Sequence, residues 1–125
     1  MNIIISNSSG EPIYEQITNQ VKSAIMKGEL SEGALLPSIR LLAKELQISV
    51  ITTKRAYEEL EREGFIETVP GKGSYVSSQN KELLKEKRLK ELENKLIEVI
   101  TESKLIGLTL LEIEEMLRLL FNEDN

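Results

Sequence analysis

Two short amphipathic segments in the middle of the chain are separated by only two residues, and this spacing limits the fold more than any other feature. The first begins after Ser38 and has apolar side chains at helical spacing: Ile39, Leu42, Ala43 and Leu46. The second begins after Ser49 and repeats the pattern: Thr53, Ala56, Tyr57 and Leu60. Both serines are predicted N-caps, since their hydroxyls can accept first-turn N–H groups. With only Gln47 and Ile48 between them, the two helices must meet in a sharp turn.

A further helix is predicted upstream of this pair. Pro12 suits a helix start, because its missing N–H is not needed there. The apolar stripe that follows has helical spacing: Ile13, Ile17, Val21, Ala24 and Ile25. Gly28 is expected to end this helix. Residues 3–5, three consecutive isoleucines, are a candidate short strand, and residues 29–37 are predicted to form a loop.

A β-hairpin is predicted downstream of the pair. Gly64 ends the second helix, and the β-branched and aromatic residues 65–69 and 74–76 flank the turn sequence "PGKG". A helix, a tight helix pair and a hairpin follow one another in the order of a winged helix-turn-helix. The expected fold class is therefore mainly α with a small β-hairpin.

Residues 79–125 have a different, strongly charged and helical character, and we expect them to form a separate helical dimerisation domain after a winged helix-turn-helix domain at residues 1–78. Thr109 and Glu112 predict a capping box after a break at Gly107, with Leu108 and Ile113 placed as a hydrophobic staple. The predicted seams carry apolar residues three and four apart: Leu89, Leu92, Leu96 and Val99, then Leu110, Ile113, Leu117 and Leu120.

These seams predict a homodimer, because so short a segment cannot bury its own apolar faces. The expected interface comprises Leu89, Leu92, Leu96, Val99, Ile113, Leu117 and Leu120. The alternative is that the tail folds back on Ile13 and Val21 of its own domain. Two helices in each chain enclose little volume, so we expect either no small-molecule effector or a weakly defined one.

The charge distribution favours nucleic acid although the net charge of −5 alone does not. Residues 33–57 carry four basic side chains and one acidic one, a local charge of +3. The basic ones are Arg40, Lys44, Lys54 and Arg55. Two helix N-termini lie in the same segment and add partial positive charge. In a DNA-binding helix pair the second helix enters the major groove by its N-terminal residues, while the first crosses the backbone.

The composition argues against enzymes, cofactors and metals. The chain has no cysteine and no histidine, which excludes disulfides, thiolate sites and the commonest general base and metal ligand. The acidic run at residues 58–63 is expected to be a solvated helix face. A phosphate-binding Walker loop does not fit "VPGKGSYV", since a strand follows it rather than a helix. No apolar stretch has the length of a membrane span, and "MNIIISNSSGEP" lacks the basic region of a signal peptide. We expect a soluble, cytoplasmic protein.

Four blocks of this sequence together resemble the DNA-binding domain of the GntR family of bacterial transcriptional regulators. They are "PIYEQITNQVKSAI", "LLPSIRLLAKEL", "ISVITTKRAYEELEREGFIE" and "PGKGSYV", and they span about residues 12–77 with the family's order and spacing. The short two-helix tail resembles that of the YtrA-like branch. The resemblance implies a homodimeric regulator, expected to be a repressor, on a two-fold operator in double-stranded DNA. The alternative is a winged-helix adaptor that binds proteins and no specific DNA.

The resemblance also assigns roles to particular residues. It implies that Arg40 approaches the DNA backbone or bases, and that Lys54 stands where the family often has a base-contacting arginine. Val50 and Ile51 depart from a common polar pair, so they are expected to touch thymine methyl groups. Arg55 is expected either to contact DNA or to turn toward Glu58, Glu59 or the tail. The full expected DNA-binding set is Ser38, Arg40, Lys44, Ser49, Val50, Ile51, Thr52, Lys54, Arg55, Gly71, Lys72 and Gly73.

Overall fold

The computed structural model describes residues 1–78 and 81–123, which form five helices and one two-stranded antiparallel sheet. In chain order the elements are α1 (Ile13–Met26), α2 (Ile39–Leu46), α3 (Val50–Arg62), β1 (Ile66–Val69), β2 (Gly73–Val76), α4 (Lys81–Leu105) and α5 (Leu110–Glu123). The predicted mainly helical, winged helix-turn-helix architecture is confirmed. The chain divides into two compact units, Met1–Lys85 and Glu86–Asn125. The predicted domain boundary after residue 78 adjoins Gln79 and Asn80, which lie outside the described residues.

The tight turn between α2 and α3 forms as the spacing requires. Gln47 adopts a left-handed conformation with φ 57°, and the Ile48 N–H donates to the Ala43 carbonyl at 3.0 Å. Non-glycine residues rarely take this conformation because the Cβ atom crowds the following carbonyl. The chain accepts that strain because both flanking helices are held by buried side chains, among them Leu42 of α2 and Thr53 of α3.

The core of the first unit lies around the inner face of α3, as its periodicity predicts. Thr53, Ala56 and Leu60 are completely buried, and Tyr57 nearly so. The Tyr57 hydroxyl donates to the Pro37 carbonyl at 2.6 Å. Burial, and secondarily the charge of Glu45, raise the pKa of Tyr57 well above its ordinary value, so the hydroxyl remains a donor. The other buried members of this core are Ile17, Val21, Ile25, Leu36, Leu42, Phe65, Ile66, Val76 and Leu84.

Residues 3–5 do not form a strand, contrary to the sequence prediction. Instead, two glutamine side chains of α1 bind this segment through its backbone. The Ile4 N–H donates to Gln20 Oε1 at 2.9 Å, and Gln20 Nε2 donates to the Ile4 carbonyl at 2.7 Å. Gln16 makes the same pair of hydrogen bonds with Ser6, at 2.8 and 3.1 Å. The side-chain amides thus replace the neighbouring strand that a β-segment needs.

The hairpin β1–β2 forms the wing, and the loop between α1 and α2 pairs with its second strand. β1 pairs with β2 from Ile66–Val76 to Val69–Gly73. The turn closes with a hydrogen bond from the Lys72 N–H to the Val69 carbonyl at 3.0 Å, and Gly71 has φ 79°, as the third position of a type II turn requires. Residues 33–36, predicted as a plain loop, pair with β2 through a bridge between Leu35 and Tyr75.

The second unit contains most of α4 and all of α5. Its predicted capping box is confirmed: the Thr109 N–H donates to Glu112 Oε1 at 3.0 Å, and the Glu112 N–H donates to Thr109 Oγ1 at 3.2 Å. Gly107 has φ 77° between the two helices. Among the described helices, none combines the length and apolar character needed to cross a lipid bilayer.

Both helices of this unit expose apolar side chains in the single chain, and the exposed set is wider than the predicted seams. Ile113 is half-buried, while the other six predicted interface residues are exposed. Further large apolar side chains are exposed as well: Ile97, Ile100, Leu105, Ile106, Leu111, Met116, Leu119 and Phe121. So much exposed apolar surface is typical of an interaction face.

A buried ion pair joins α1 to the end of α3. Lys22 Nζ lies 2.6 and 2.8 Å from the two carboxylate oxygens of Glu63, and it also lies 5.6 Å from the centroid of the Phe65 ring. Lys22 is only 7% exposed, whereas a quarter of the Glu63 side chain remains accessible to water. Water can therefore solvate Glu63 if Lys22 is removed, but it cannot easily solvate Lys22 if Glu63 is removed.

We predict that Glu63→Leu destabilises the protein more than Lys22→Met does. The first leaves a buried ammonium unpaired, with a cost of about 2–4 kcal/mol in the free energy of unfolding. The second leaves a carboxylate that water can reach, and the double variant should recover much of the loss. Urea denaturation measures all three. Glu58→Gln, which removes an exposed pair with Lys54 on the same helix, is the control and should change little. Equal losses in both single variants would contradict the asymmetry.

Candidate nucleic-acid interface

The N-termini of α2 and α3 are both capped by serine, as predicted. The Leu41 N–H donates to Ser38 Oγ at 3.1 Å, and the Thr52 N–H donates to Ser49 Oγ at 3.1 Å. Ser49 Oγ also lies 2.9 Å from Thr52 Oγ1. Because first-turn N–H groups have no acceptor within their own helix, each terminus carries partial positive charge that favours an anion.

The outer face of α3 presents side chains of the type that enter a DNA groove. Val50 and Ile51 are exposed, Ile51 to 78%, and Thr52 is half-buried. Lys54 is exposed and has Glu58 as its nearest acidic neighbour, with 3.8 Å between Nζ and Oε1. An ion pair this exposed is weak, so the ammonium can leave it for a stronger anion. The outer face of α3 therefore carries an exposed apolar tip, Val50 and Ile51, and an ammonium group, that of Lys54, which is free to move to another anion.

The outer face of α2 adds two more cations. Arg40 and Lys44 are exposed and lie one helical turn apart, so their side chains share a face. Over residues 1–78 and 81–123, neither of them has a carboxylate within ion-pair distance. Uncompensated cations on one face form a positive patch that attracts a polyanion.

The tip of the wing combines a cation with two glycines that have different roles. Gly71 and Lys72 are exposed, and a Cβ atom on Gly71 would meet nothing within 4 Å. A Cβ atom on Gly73 would lie 3.1 Å from Leu35 Cδ1, and Gly73 has φ 124°. Both positions favour glycine because of their positive φ; Gly71 leaves open space at the tip, whereas a side chain at position 73 would also displace the end of Leu35.

Arg55 has a partner that the sequence did not reveal. Its Cζ atom lies 3.8 Å above the ring centroid of Tyr14 in the first turn of α1. The neighbours that the sequence offered, Glu58 and Glu59, pair instead with Lys54 and Arg62. The contact joins α1 to α3 across two segments far apart in the chain, so no local pattern indicates it.

The acidic run at residues 58–63 is solvated only in part: Glu58 and Glu61 are exposed, as predicted, whereas Glu59 and Glu63 are half-buried. Glu58, Glu59 and Glu63 each pair with a cation, and the hydrogen bond from Arg62 lowers the pKa of Glu59. No three acidic side chains in the described part of the chain are arranged to hold a metal ion.

Comparison with known proteins agrees with this geometry. Residues 13–76 match the sequence profile of the GntR family of bacterial regulatory proteins. The HTH-type transcriptional repressor YtrA of Bacillus subtilis (strain 168) is 38% identical over 116 residues, which cover 93% of this chain and 89% of the repressor.

Two solved structures also resemble this chain, and the first covers nearly all of it. The crystal structure of a transcriptional antiterminator from Listeria monocytogenes EGD-e is 36% identical, with a TM-score of 0.75 over 94% of this chain and 88% of that one. YtrA from Sulfolobus acidocaldarius, a GntR-family transcription factor, is 39% identical, with a TM-score of 0.59 over 73% of this chain and 97% of that one.

We predict that two substitutions of Ser49 separate capping from anion binding. Ser49→Ala should lower the free energy of unfolding by about 1 kcal/mol, because the Thr52 N–H loses its acceptor. Ser49→Asp should restore the cap and the stability, yet weaken binding to duplex DNA, since a carboxylate would then face the phosphates. Urea denaturation and fluorescence anisotropy measure the two effects. If Ser49→Asp binds duplex like the wild type, the N-terminus of α3 does not approach the DNA backbone.

Proposed function

The chain belongs to the GntR family of bacterial transcriptional regulators, and from that premise we propose that it is a repressor that binds a two-fold DNA operator as a homodimer. The observation that carries the proposal is the exposed N-terminus of α3, where Ser49 caps the helix and Ile51 and Lys54 are exposed, together with the exposed cations Arg40 and Lys44 of α2. Repression rather than activation is proposed because the Bacillus subtilis relative is a repressor. Such a protein acts in the cytoplasm, where the bacterial chromosome lies.

Each element of the first unit has a distinct part in the proposed complex. The first turns of α3 enter the major groove, where Lys54 contacts a base edge, with Ser49 and Thr52 at a phosphate. Val50 and Ile51 contact thymine methyl groups and so favour A·T pairs at these positions. Arg40 and Lys44 of α2, together with the capped N-terminus at Ser38, bind the backbone. The wing places residues 71–73 at the minor groove.

The second part of the chain, residues 79–125, is proposed to form the dimer. A helix-turn-helix protein that reads one half-site gains affinity and a two-fold recognition sequence when two copies are joined by a symmetry axis. The exposed apolar side chains of α4 and α5 supply a surface that water disfavours and a second copy would cover. The predicted seam from Leu89 to Val99 is the proposed centre of that interface.

We predict that affinity for duplex DNA falls steeply with salt. Each phosphate neutralised by lysine or arginine releases counterions, which gives a slope of roughly −0.9 for each contact in a plot of log affinity against log salt. Anisotropy titrations of a duplex obtained by selection from random sequences measure this slope. Flat or absent binding to every duplex would contradict the regulator and leave a protein-binding adaptor as the better description.

A matched pair of lysine variants tests the site within the same experiment. Lys54→Ala should cost about 1–3 kcal/mol on the selected duplex and reduce discrimination against a changed half-site. Lys95→Ala removes another exposed lysine, this one from α4, and should change neither quantity. An equal loss on all sequences would make Lys54 a phosphate contact only.

We predict that Leu96→Glu separates the dimer and weakens operator binding with it. A carboxylate cannot be buried unpaired in an apolar interface without a cost of several kcal/mol. Light scattering should show a dimer for the wild type and a monomer for the variant. Asn94→Glu, which adds the same charge two residues away on the side opposite the seam, should remain dimeric. A monomeric wild type would remove the basis of this part of the proposal.

A further inference from the structure

The contact between Arg55 and Tyr14 holds a cation beside the reading face of α3. Arg55 follows Ile51 by one helical turn, so the two side chains share the outer part of the helix. The guanidinium carbon lies 3.8 Å from the ring centroid, which is the distance of a face-on stack. Tyr14 is half-buried against the core, and its hydroxyl donates to Glu15 Oε1 at 3.1 Å. The aromatic platform is therefore fixed by its own packing.

A stacked guanidinium keeps its hydrogen-bonding capacity. Stacking uses the flat face of the group, while the N–H donors point outward in the plane. Over residues 1–78 and 81–123, Arg55 donates no hydrogen bond and has no carboxylate within 4.0 Å. Glu58 and Glu59 of α3 form ion pairs with Lys54 and Arg62, and the charge of Arg55 acts on Glu59 only from beyond ion-pair distance, where it helps to lower the pKa of that carboxyl. Arg55 thus has an oriented and unused donor edge.

We infer that Tyr14 is a positioning residue that orients Arg55 for a bidentate contact with a DNA phosphate at the edge of the major groove. This inference rests on the proposed function and adds α1 to the elements that serve the interface. A phosphate fits better than a base, because base edges are reached from the first turn of a recognition helix, whereas Arg55 lies farther along and turns sideways to α1. The planar fork of arginine matches two phosphate oxygens.

The physical benefit of the platform is a smaller loss of freedom on binding. A solvated arginine side chain samples many rotamers, and immobilising it in a complex opposes association. Tyr14 restricts those rotamers before DNA arrives, so less freedom is lost in the complex. A lysine at the same position would keep the charge but lack the planar group that stacks on the ring.

A double-mutant cycle on the selected duplex tests this role. Arg55→Ala should weaken binding about 5- to 20-fold and reduce the magnitude of the salt slope by ~1 for each half-site. Tyr14→Leu should weaken binding about 3- to 10-fold when Arg55 is present and have no further effect in Arg55→Ala. Tyr14→Phe keeps the ring face and should bind like the wild type. Arg55→Lys should retain most of the salt slope and lose the dependence on Tyr14.

The alternative is that Tyr14 and Arg55 only tie α1 to α3. In that case Tyr14→Leu would lower the midpoint of thermal unfolding and weaken binding equally in both backgrounds, which would overturn the inference. Tyr14→Met, which keeps apolar volume, replaces Tyr14→Leu in the cycle if that variant does not fold. An unchanged affinity and salt slope in Arg55→Ala would also overturn it. If the wild type still shows a steep salt dependence in that case, the proposed DNA-binding function stands and only the role of Arg55 and Tyr14 is rejected. Loss of the inference can therefore be told apart from loss of the proposed function.

Discussion

Burial of one face of α3 is the constraint on which the rest of the first unit depends. α1, α2 and β1 all pack against this helix, whose inner side chains Thr53, Ala56 and Leu60 are inaccessible to water. Because a helix is a rigid cylinder, fixing its inner face also fixes the direction in which the Cα–Cβ bond of every outer residue points. The hydrogen bond from Tyr57 to Pro37 joins the same helix to the entry of α2. The core thus orients the surface that is proposed to read DNA.

The features that were predicted correctly are those encoded within a few consecutive residues. Serine caps, the two-residue turn, the hairpin and the capping box at Thr109 all depend on neighbours in the chain, so their signals are visible in the sequence. The features that were missed join distant segments. Gln20 binds the backbone of Ile4, residues 33–36 pair with β2, and Lys22 reaches Glu63. Each needs a three-dimensional neighbour that periodicity does not specify.

In the candidate interface, too, the features set by nearby residues were predicted and a contact between distant segments was missed. The apolar tip of α3 and the cations of α2 followed from helix periodicity and from the family resemblance, and the structure places them on exposed surfaces. The stacking of Arg55 on Tyr14 did not follow, because Tyr14 lies in α1 and its ring has no local relation to α3. The net charge of −5 also misleads, since residues 33–57 carry four basic side chains and one acidic one while most of the acidic residues lie elsewhere in the chain.

Leu84 belongs to the core of the first unit, although it lies in the first turns of α4, beyond residues 13–76 that carry the family profile. Ile3 and Ile5, on the other side of that segment, also pack against the core. The segment that matches the family profile, residues 13–76, therefore does not contain all the side chains that form its hydrophobic core. A tail of different sequence would leave a cavity in this core unless it placed an apolar side chain at the position of Leu84. The first turns of α4 thus serve the packing of the first unit, whatever the rest of the tail does.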